Sequence, residues 1–208
     1  MGADRHVEME LEGWSLFWAH LTADGGEVDP EAAQAVARRA RERFTDTQAL
    51  AADPTVAALR RLFKAAGCDP SRYRPSSEAL LRRLIRGDAL PSIHPLVDLN
   101  NALSAELAVP CCVMRPGTFG ATLSLRPGHE DESYESLRGP FKLHKKPVLA
   151  DENGPVDTPI TGNVQVKVES GCQAAWLVAY LPAETVSLAA AAECLAQWAP
   201  RFGVRWTL

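Results

Sequence analysis

Long apolar runs are missing from this 208-residue sequence. Nothing in it approaches the roughly 20 consecutive residues that a bilayer-spanning helix requires. The stretch Met1–Glu12 has neither the basic start nor the apolar segment of a secretory signal, so a cytoplasmic protein with no membrane partner is expected. Cysteine is scarce. The five present, Cys68, Cys111, Cys112, Cys172 and Cys194, are odd in number and irregularly spaced, which argues against a disulfide framework and suits a reducing compartment. CxxC and HExxH do not occur and the histidines are scattered, so no metal site is expected. The glycine-rich fingerprints of dinucleotide and phosphate loops are absent, as is the GxSxG elbow of serine hydrolases. No cofactor is expected, and no nucleophile announces itself. Cys111-Cys112 opens an apolar strand, where cysteine commonly serves as a small hydrophobe.

What is present is ordinary globular material. Hydrophobic residues make up 46% and charged residues 23% of the chain, values that support a buried core rather than disorder. The net charge of −4 argues mildly against a generic nucleic-acid binder, but its distribution is uneven: Arg38–Arg86 holds twelve Lys/Arg against five Asp/Glu. Such a cluster suits a polyanionic partner, and equally the solvated faces of helices.

Gly13–Leu21 reads as an aromatic strand, either core or contact surface. Asp29-Pro30 and Asp53-Pro54 are helix starts. Ser76 or Ser77 is expected to cap a third helix with Glu78 in its first turn as a dipole partner, and a fourth covers Leu96–Leu107. The period then changes from helical to two. Cys111–Met114 and Thr118–Leu125 suggest a hairpin around Arg115-Pro116-Gly117, and His129–Gly139 a loop. Asp151–Gly154 suggests a turn, Val164, Val166 and Val168 an alternating strand, and Ala174–Leu181 a strand buried on both faces. Glu184–Trp198 reads as a helix and Phe202–Trp206 as a closing strand. Helices first and mostly antiparallel strands later imply an α+β fold with mixed, mostly antiparallel sheets and flanking helices. With no linker or repeat in view, residues 1–208 are expected to form a single domain.

Two polar clusters interrupt this pattern. Asp98, Asn100 and Asn101 lie inside an otherwise apolar helix, where such side chains compete for backbone hydrogen bonds. Their presence needs a cap, a buried network or a ligand. Asp157-Thr158-Pro159-Ile160-Thr161-Gly162-Asn163 brings hydroxyls, an amide and a glycine together, which would suit a small polar ligand or a plain turn.

The runs Arg74–Arg83 and Leu90–Asn101, continued by Val148–Pro155 and Pro159–Tyr180, resemble those of the free-standing B-three/B-four domain proteins. These are similar to the editing domain of the phenylalanyl-tRNA synthetase beta subunit. The resemblance covers about residues 73–182, leaving an N-terminal strand and helices (13–67) and a C-terminal helix and strand (184–208). It implies a trans-acting deacylase that hydrolyses the ester of a mischarged tRNA, with aminoacylated tRNA as partner and transient contact with a synthetase. Carried over by position, the pocket falls on Asn100 and Asn101, on Pro110 and Cys112, and on Thr158 and Pro159 with Thr161 and Gly162. The chain departs from the synthetase pattern in three places. Cys112 stands at the histidine position, Thr158-Pro159 replaces a small pair, and Val178 replaces the glutamate that reads a tyrosine hydroxyl. A different target amino acid follows.

Because aminoacyl esters are activated, holding a water and polarising the carbonyl is enough for hydrolysis. Asn101, Asn100 and Thr158 would do this, with His94 as a further polar participant or a helix cap. Two other readings stay open: a non-catalytic RNA-binding module with a decayed pocket, and a small-molecule binder that makes no use of tRNA. Arg74, Arg82, Arg83, Arg86, Lys142, Lys145 and Lys146 would contact tRNA phosphates. Affinity for tRNA is therefore expected to fall steeply with added salt, as read by gel shifts at two ionic strengths; salt-insensitive binding would count against this surface.

Overall fold

The computed structural model describes residues 6–23 and 25–208. The first five residues of the polar stretch Met1–Glu12 lie outside that range. Strand β1 (His6–Met9) and the long β2 (Trp14–Ala23) come first. Helices α1 (Ala32–Arg43), α2 (Thr47–Ala52), α3 (Pro54–Ala65), α4 (Ser76–Ile85) and α5 (Pro95–Leu107) follow. The strands then run β3 (Cys111–Met114), β4 (Thr122–Pro127), β5 (Ser133–Ser136), β6 (Gly139–Lys142), β7 (Pro147–Asp151), β8 (Gly154–Asp157) and β9 (Ala174–Pro182). Helix α6 (Leu188–Trp198), a 3-10 turn at Ala199–Phe202 and β10 (Val204–Thr207) complete the order. The fold is α+β, as expected.

One sheet has the order β10-β2-β9-β3, antiparallel throughout. Strand β9 lies inside it, which explains its unbroken apolar sequence: Leu177, Val178, Ala179, Tyr180 and Leu181 are fully buried. Helices α3, α5 and α6 pack on this sheet. Trp14 and Phe17 of β2 are both buried in the main core, so the aromatic strand is core and not contact surface. A second sheet, β1-β4-β7-β8, is mixed, with β1 parallel to β4. Its strand β7 divides its side chains by the two-residue period. Leu149 joins the main core, while Val148 and Ala150 join a small cluster with Leu143, under Tyr134 and Phe141 of the β5–β6 ribbon.

Local capping decides most helix ends. Asp53 accepts from the backbone N–H groups of Thr55 and Val56 ahead of Pro54. His94 caps α5 ahead of Pro95, its Nδ1 accepting from Leu96, while Asp98 reaches back to the N–H groups of Ile93 and His94. Asp46 caps α2, a helix not anticipated from the sequence. Asp29 bonds the N–H of Glu31, and α1 begins only at Ala32. Ser187 caps α6, so that helix starts later than Glu184.

Several expectations fail for non-local reasons. Strands β3 and β4 do not form a hairpin, although Thr118 does bond back to Arg115 in the turn between them. Strand β3 pairs with β9 instead, and β4 sits between β1 and β7 in the other sheet. The valines at 164, 166 and 168 do not form a strand. Asn163 accepts from Gln165 and turns the backbone, leaving isolated bridges such as Met114 with Lys167. Residues 129–139 are not all loop, since β5 forms within them. Neither serine caps α4: Pro75 holds the cap position, Ser76 N–H donates to the Pro159 carbonyl, and Ser77 Oγ donates to the Ala108 carbonyl.

Glu78 differs most from its expected role. Its carboxylate is fully buried, not a surface dipole partner. Arg60 of α3 grips both its oxygens, at 2.9 and 3.0 Å. Arg82 adds a bond at 2.9 Å and Arg74 an ion pair at 3.3 Å. Burial alone would raise its pKa, but the bonds and charges of Arg60 and Arg82 hold it below the usual carboxylate value. Glu78→Gln is expected to cost about 3 kcal/mol, because removing one partner strands the others. This would be read as a lower urea midpoint at unchanged slope; a wild-type midpoint would remove the cluster's structural role.

Candidate functional site

Helices α4 and α5 each turn one face toward a common space. From α4 come Ser76, Ala79, Leu80 and Arg83, and from α5 Val97, Asn100, Asn101 and Ser104. Both sets follow the i, i+3, i+4, i+7 spacing of a single helical stripe. Cys111, Cys112 and Val113 of the edge strand β3 supply the third wall. The β5–β6 turn brings Leu137 and Arg138, and the following loops bring Ile160, Thr161, Gly162, Lys167 and Val168. Together these residues enclose a cavity of about 490 Å³, within the size range of small-ligand sites.

The 158–162 loop is held from several sides. Tyr134 OH donates to the Thr161 carbonyl at 2.6 Å, and Leu137 N–H donates to the Gly162 carbonyl at 3.1 Å. Thr158 Oγ1 accepts from the N–H groups of Ile160 and Thr161 and lies 3.0 Å from Tyr134 OH. Thr158 therefore organises the loop from behind. It is buried and does not line the cavity, and the same holds for Pro110, Pro159 and Val178. Among the expected site residues, the cavity brings together Asn100, Asn101, Cys112, Thr161, Gly162 and Arg83. His94 stays at the cap of α5.

Asn100 is the most informative side chain. It is only 8% exposed, lines the cavity, and its Oδ1 has no hydrogen-bond partner. A buried acceptor left unpaired costs about 1–3 kcal/mol, a cost that a ligand donor would remove. The cavity's ionisable lining is Arg83, Arg138 and Lys167, besides the two cysteines; among the described residues no Asp, Glu or His lines it. Burial raises the pKa of both Cys111 and Cys112, and nearby Asp157 pushes Cys112 further up. Both stay thiols at neutral pH, the opposite of a nucleophilic cysteine. Among the described residues no three His, Cys, Asp or Glu side chains gather as a metal-binding group, and no helix is long and apolar enough to cross a membrane.

Behind the Cys112 wall lies a buried polar pair, of which the sequence singled out only Asp157. Tyr180 OH donates to Asp157 Oδ2 at 2.6 Å, and both residues are fully buried. Asp157 ends β8 and Tyr180 lies on β9, so only the meeting of two sheets reveals the pair. Burial raises the Asp157 pKa to about 7, against the opposing bond from Tyr180.

Of the cations expected at a tRNA surface, Arg74 and Arg82 are engaged by Glu78 and Arg83 by Asp88. Arg86, Lys142 and Lys145 are exposed. Lys146 is not at the surface: it is 4% exposed, with Nζ 4.0 Å from the Tyr73 ring centroid and 5.2 Å from that of Phe141. The aromatic contact holds it away from solvent, where no phosphate reaches it.

Residues 58–195, from within α3 to within α6, match the model of the B3/4 domain. The chain belongs to the B3/4 domain family. The matched stretch includes every wall of the cavity and extends beyond the 73–182 core outlined from sequence motifs. Comparison with curated proteins gave no match. Within this B3/4 domain protein the unpaired Asn100 and the buried Asp157 are polar groups that packing alone does not explain.

The Asp157 shift has a signed consequence. Its folded pKa, about 7, lies above the ordinary 3.8, so the folded state holds a proton that the unfolded state releases. Its contribution to stability therefore falls as pH rises from about 4 to about 7. Asp157→Asn is expected to flatten that part of the profile relative to wild type, as measured by chemical unfolding across pH. Parallel profiles would show that Asp157 ionises normally.

Proposed function

We propose that this B3/4 domain protein is a trans-acting aminoacyl-tRNA deacylase, with residues 1–208 acting as one unit. The observation that carries the reading is the convergence of the Asn100–Asn101 pair and the Thr161–Gly162 loop on one cavity whose buried Asn100 Oδ1 lacks a partner. An acceptor there suits the ammonium group of an esterified amino acid, and the apolar lining of Val97, Val113, Ile160 and Val168 suits its side chain. The amide of Asn101 can donate to the ester carbonyl and hold a water beside it. Attack by that water forms the new carbon–oxygen bond, and the acyl–oxygen bond to the ribose breaks. The departing ribose oxygen takes up a proton, relayed by the neighbouring ribose hydroxyl. Thr158 acts indirectly, by fixing the loop that carries Thr161 and Gly162. The lining cations Arg138 and Lys167, which make no ion pair among the described residues, suit the phosphates of a tRNA end.

A second reading is favoured by the absence of Asp, Glu and His from the lining: a module that binds the tRNA end without hydrolysing it. Incubation with a panel of mischarged tRNAs separates the two, since only a deacylase releases amino acid. Asn101→Ala is expected to lower the release rate about a hundredfold, the typical effect of losing one transition-state donor, with the fold intact by circular dichroism. Unchanged release in the variant would refute the role given to Asn101.

A further inference from the structure

A second compartment, of about 320 Å³, adjoins the main cavity. The two share Ala79, Arg138, Ile160 and Thr161. The annex adds Arg72, Tyr73 and Arg74 from the segment before α4, and Ser136, Gly139, Pro140 and Phe141 from the β5–β6 ribbon. Three guanidinium groups, those of Arg72, Arg74 and Arg138, therefore line it, and no carboxylate does. Arg74 is tied to Glu78 at 3.3 Å. Arg72 rests against the Tyr73 ring, 5.2 Å from its centroid, and makes no ion pair among the described residues. Arg138 stands exposed at the turn between β5 and β6, likewise without an acidic partner among them.

Arg72 and Arg138, which make no ion pair among the described residues, repel one another, and an anion that they share relieves that repulsion. Guanidinium forks match the oxygens of a phosphate with two parallel bonds each. Both compartments contribute to this arrangement. Arg138 belongs to each, so an anion it holds sits where the two compartments meet, and the larger of them is also lined by Asn100 and Asn101. Two large apolar side chains, Ile93 at 71% and Leu137 at 62% exposure, flank the main cavity from opposite elements. Such exposed apolar lips suit a flat nucleobase, which neither a free amino acid nor a bare phosphate would cover.

We propose that the annex is a phosphate subsite that holds the phosphate of a single nucleotide, with its ribose and base leading into the main cavity. The proposal rests on the deacylase reading only for the acyl end of the ligand; the phosphate site stands on its own lining. The anion arrives either as the 5′-phosphate of the terminal adenosine of tRNA or as a free adenosine 5′-monophosphate unit, and the two sources share one chemistry.

Binding is measured by calorimetry on the whole protein, with adenosine, adenosine 5′-monophosphate, the trinucleotide cytidylyl-cytidylyl-adenosine and deacylated tRNA as probes. The monophosphate is expected to bind at least about tenfold more tightly than adenosine, in keeping with a charge-assisted contact. Arg138→Gln and Arg72→Gln, at exposed positions that no ion pair restrains, are expected to erase that difference. That difference is expected whether or not the wild type hydrolyses any mischarged tRNA. A trinucleotide that outcompetes the free monophosphate assigns the site to the tRNA end; the reverse order assigns it to free nucleotides. Equal affinity for adenosine and its monophosphate would overturn the proposal. So would a preference that survives both arginine substitutions, or displacement of the monophosphate by N-acetyl amino acids at similar concentration, which would make the annex a carboxylate site.

Discussion

A carboxylate withdrawn from water must be met by charge and hydrogen bonds, or the fold around it does not hold. Glu78 imposes that requirement on half of the cavity. Arg60 carries the demand to α3, Arg82 keeps it within α4, and Arg74 ties in the segment leading to α4. Helix α4 is thus locked in rotation, and with it the stripe of Ser76, Ala79, Leu80 and Arg83 that forms one wall. The opposite wall is set by α5, whose start is fixed by the reciprocal caps of His94 and Asp98. Ser77, bonded to the Ala108 carbonyl, links the start of α4 to the C-terminal end of α5.

Between these walls the chemistry is divided by polarity. Apolar side chains form most of the lining, two amides come from α5, and cations stand toward the opening. The lack of a carboxylate among the lining residues gives the site one electrostatic sign. Under the proposed function that sign suits a ligand with negative charge at one end and, at the other, a donor for the unpaired Asn100 Oδ1. An aminoacyl ester of a nucleotide has that polarity, with its ammonium group at one end and its phosphate at the other. The two cysteines of the lining act as small apolar groups, since burial keeps both thiols protonated.

Family membership and site chemistry give separate kinds of information. The B3/4 match accounts for the walls. The particular residues within them set this chain apart from the synthetase pattern that it resembles. Val178, at the position of the synthetase glutamate, is buried in β9 and does not reach the cavity. A carboxylate does exist nearby, but it is Asp157, enclosed behind Cys112 and bonded to Tyr180. The polar lining of the main cavity thus consists of amides, hydroxyls and cations, with no carboxylate among the described residues.

Sequence alone determined what short-range physics controls. The Asp53-Pro54 and His94-Pro95 starts, the turn at Asp151–Gly154 and the buried run Ala174–Leu181 all appear where their local signals put them. Caps and turns close over a few residues, and a central strand needs only apolar side chains on both faces. The asparagine pair was conspicuous because amides are costly inside an apolar helix. Tertiary structure alone decided which strand β3 would join, that Thr158 would brace a loop instead of lining the cavity, and that Lys146 would leave the surface for Tyr73 and Phe141. It also decided that Glu78 would be buried and that Asp157 would meet Tyr180. Each of these depends on partners distant in the chain, and the choice among many chemically acceptable partners is made only when the whole core packs at once.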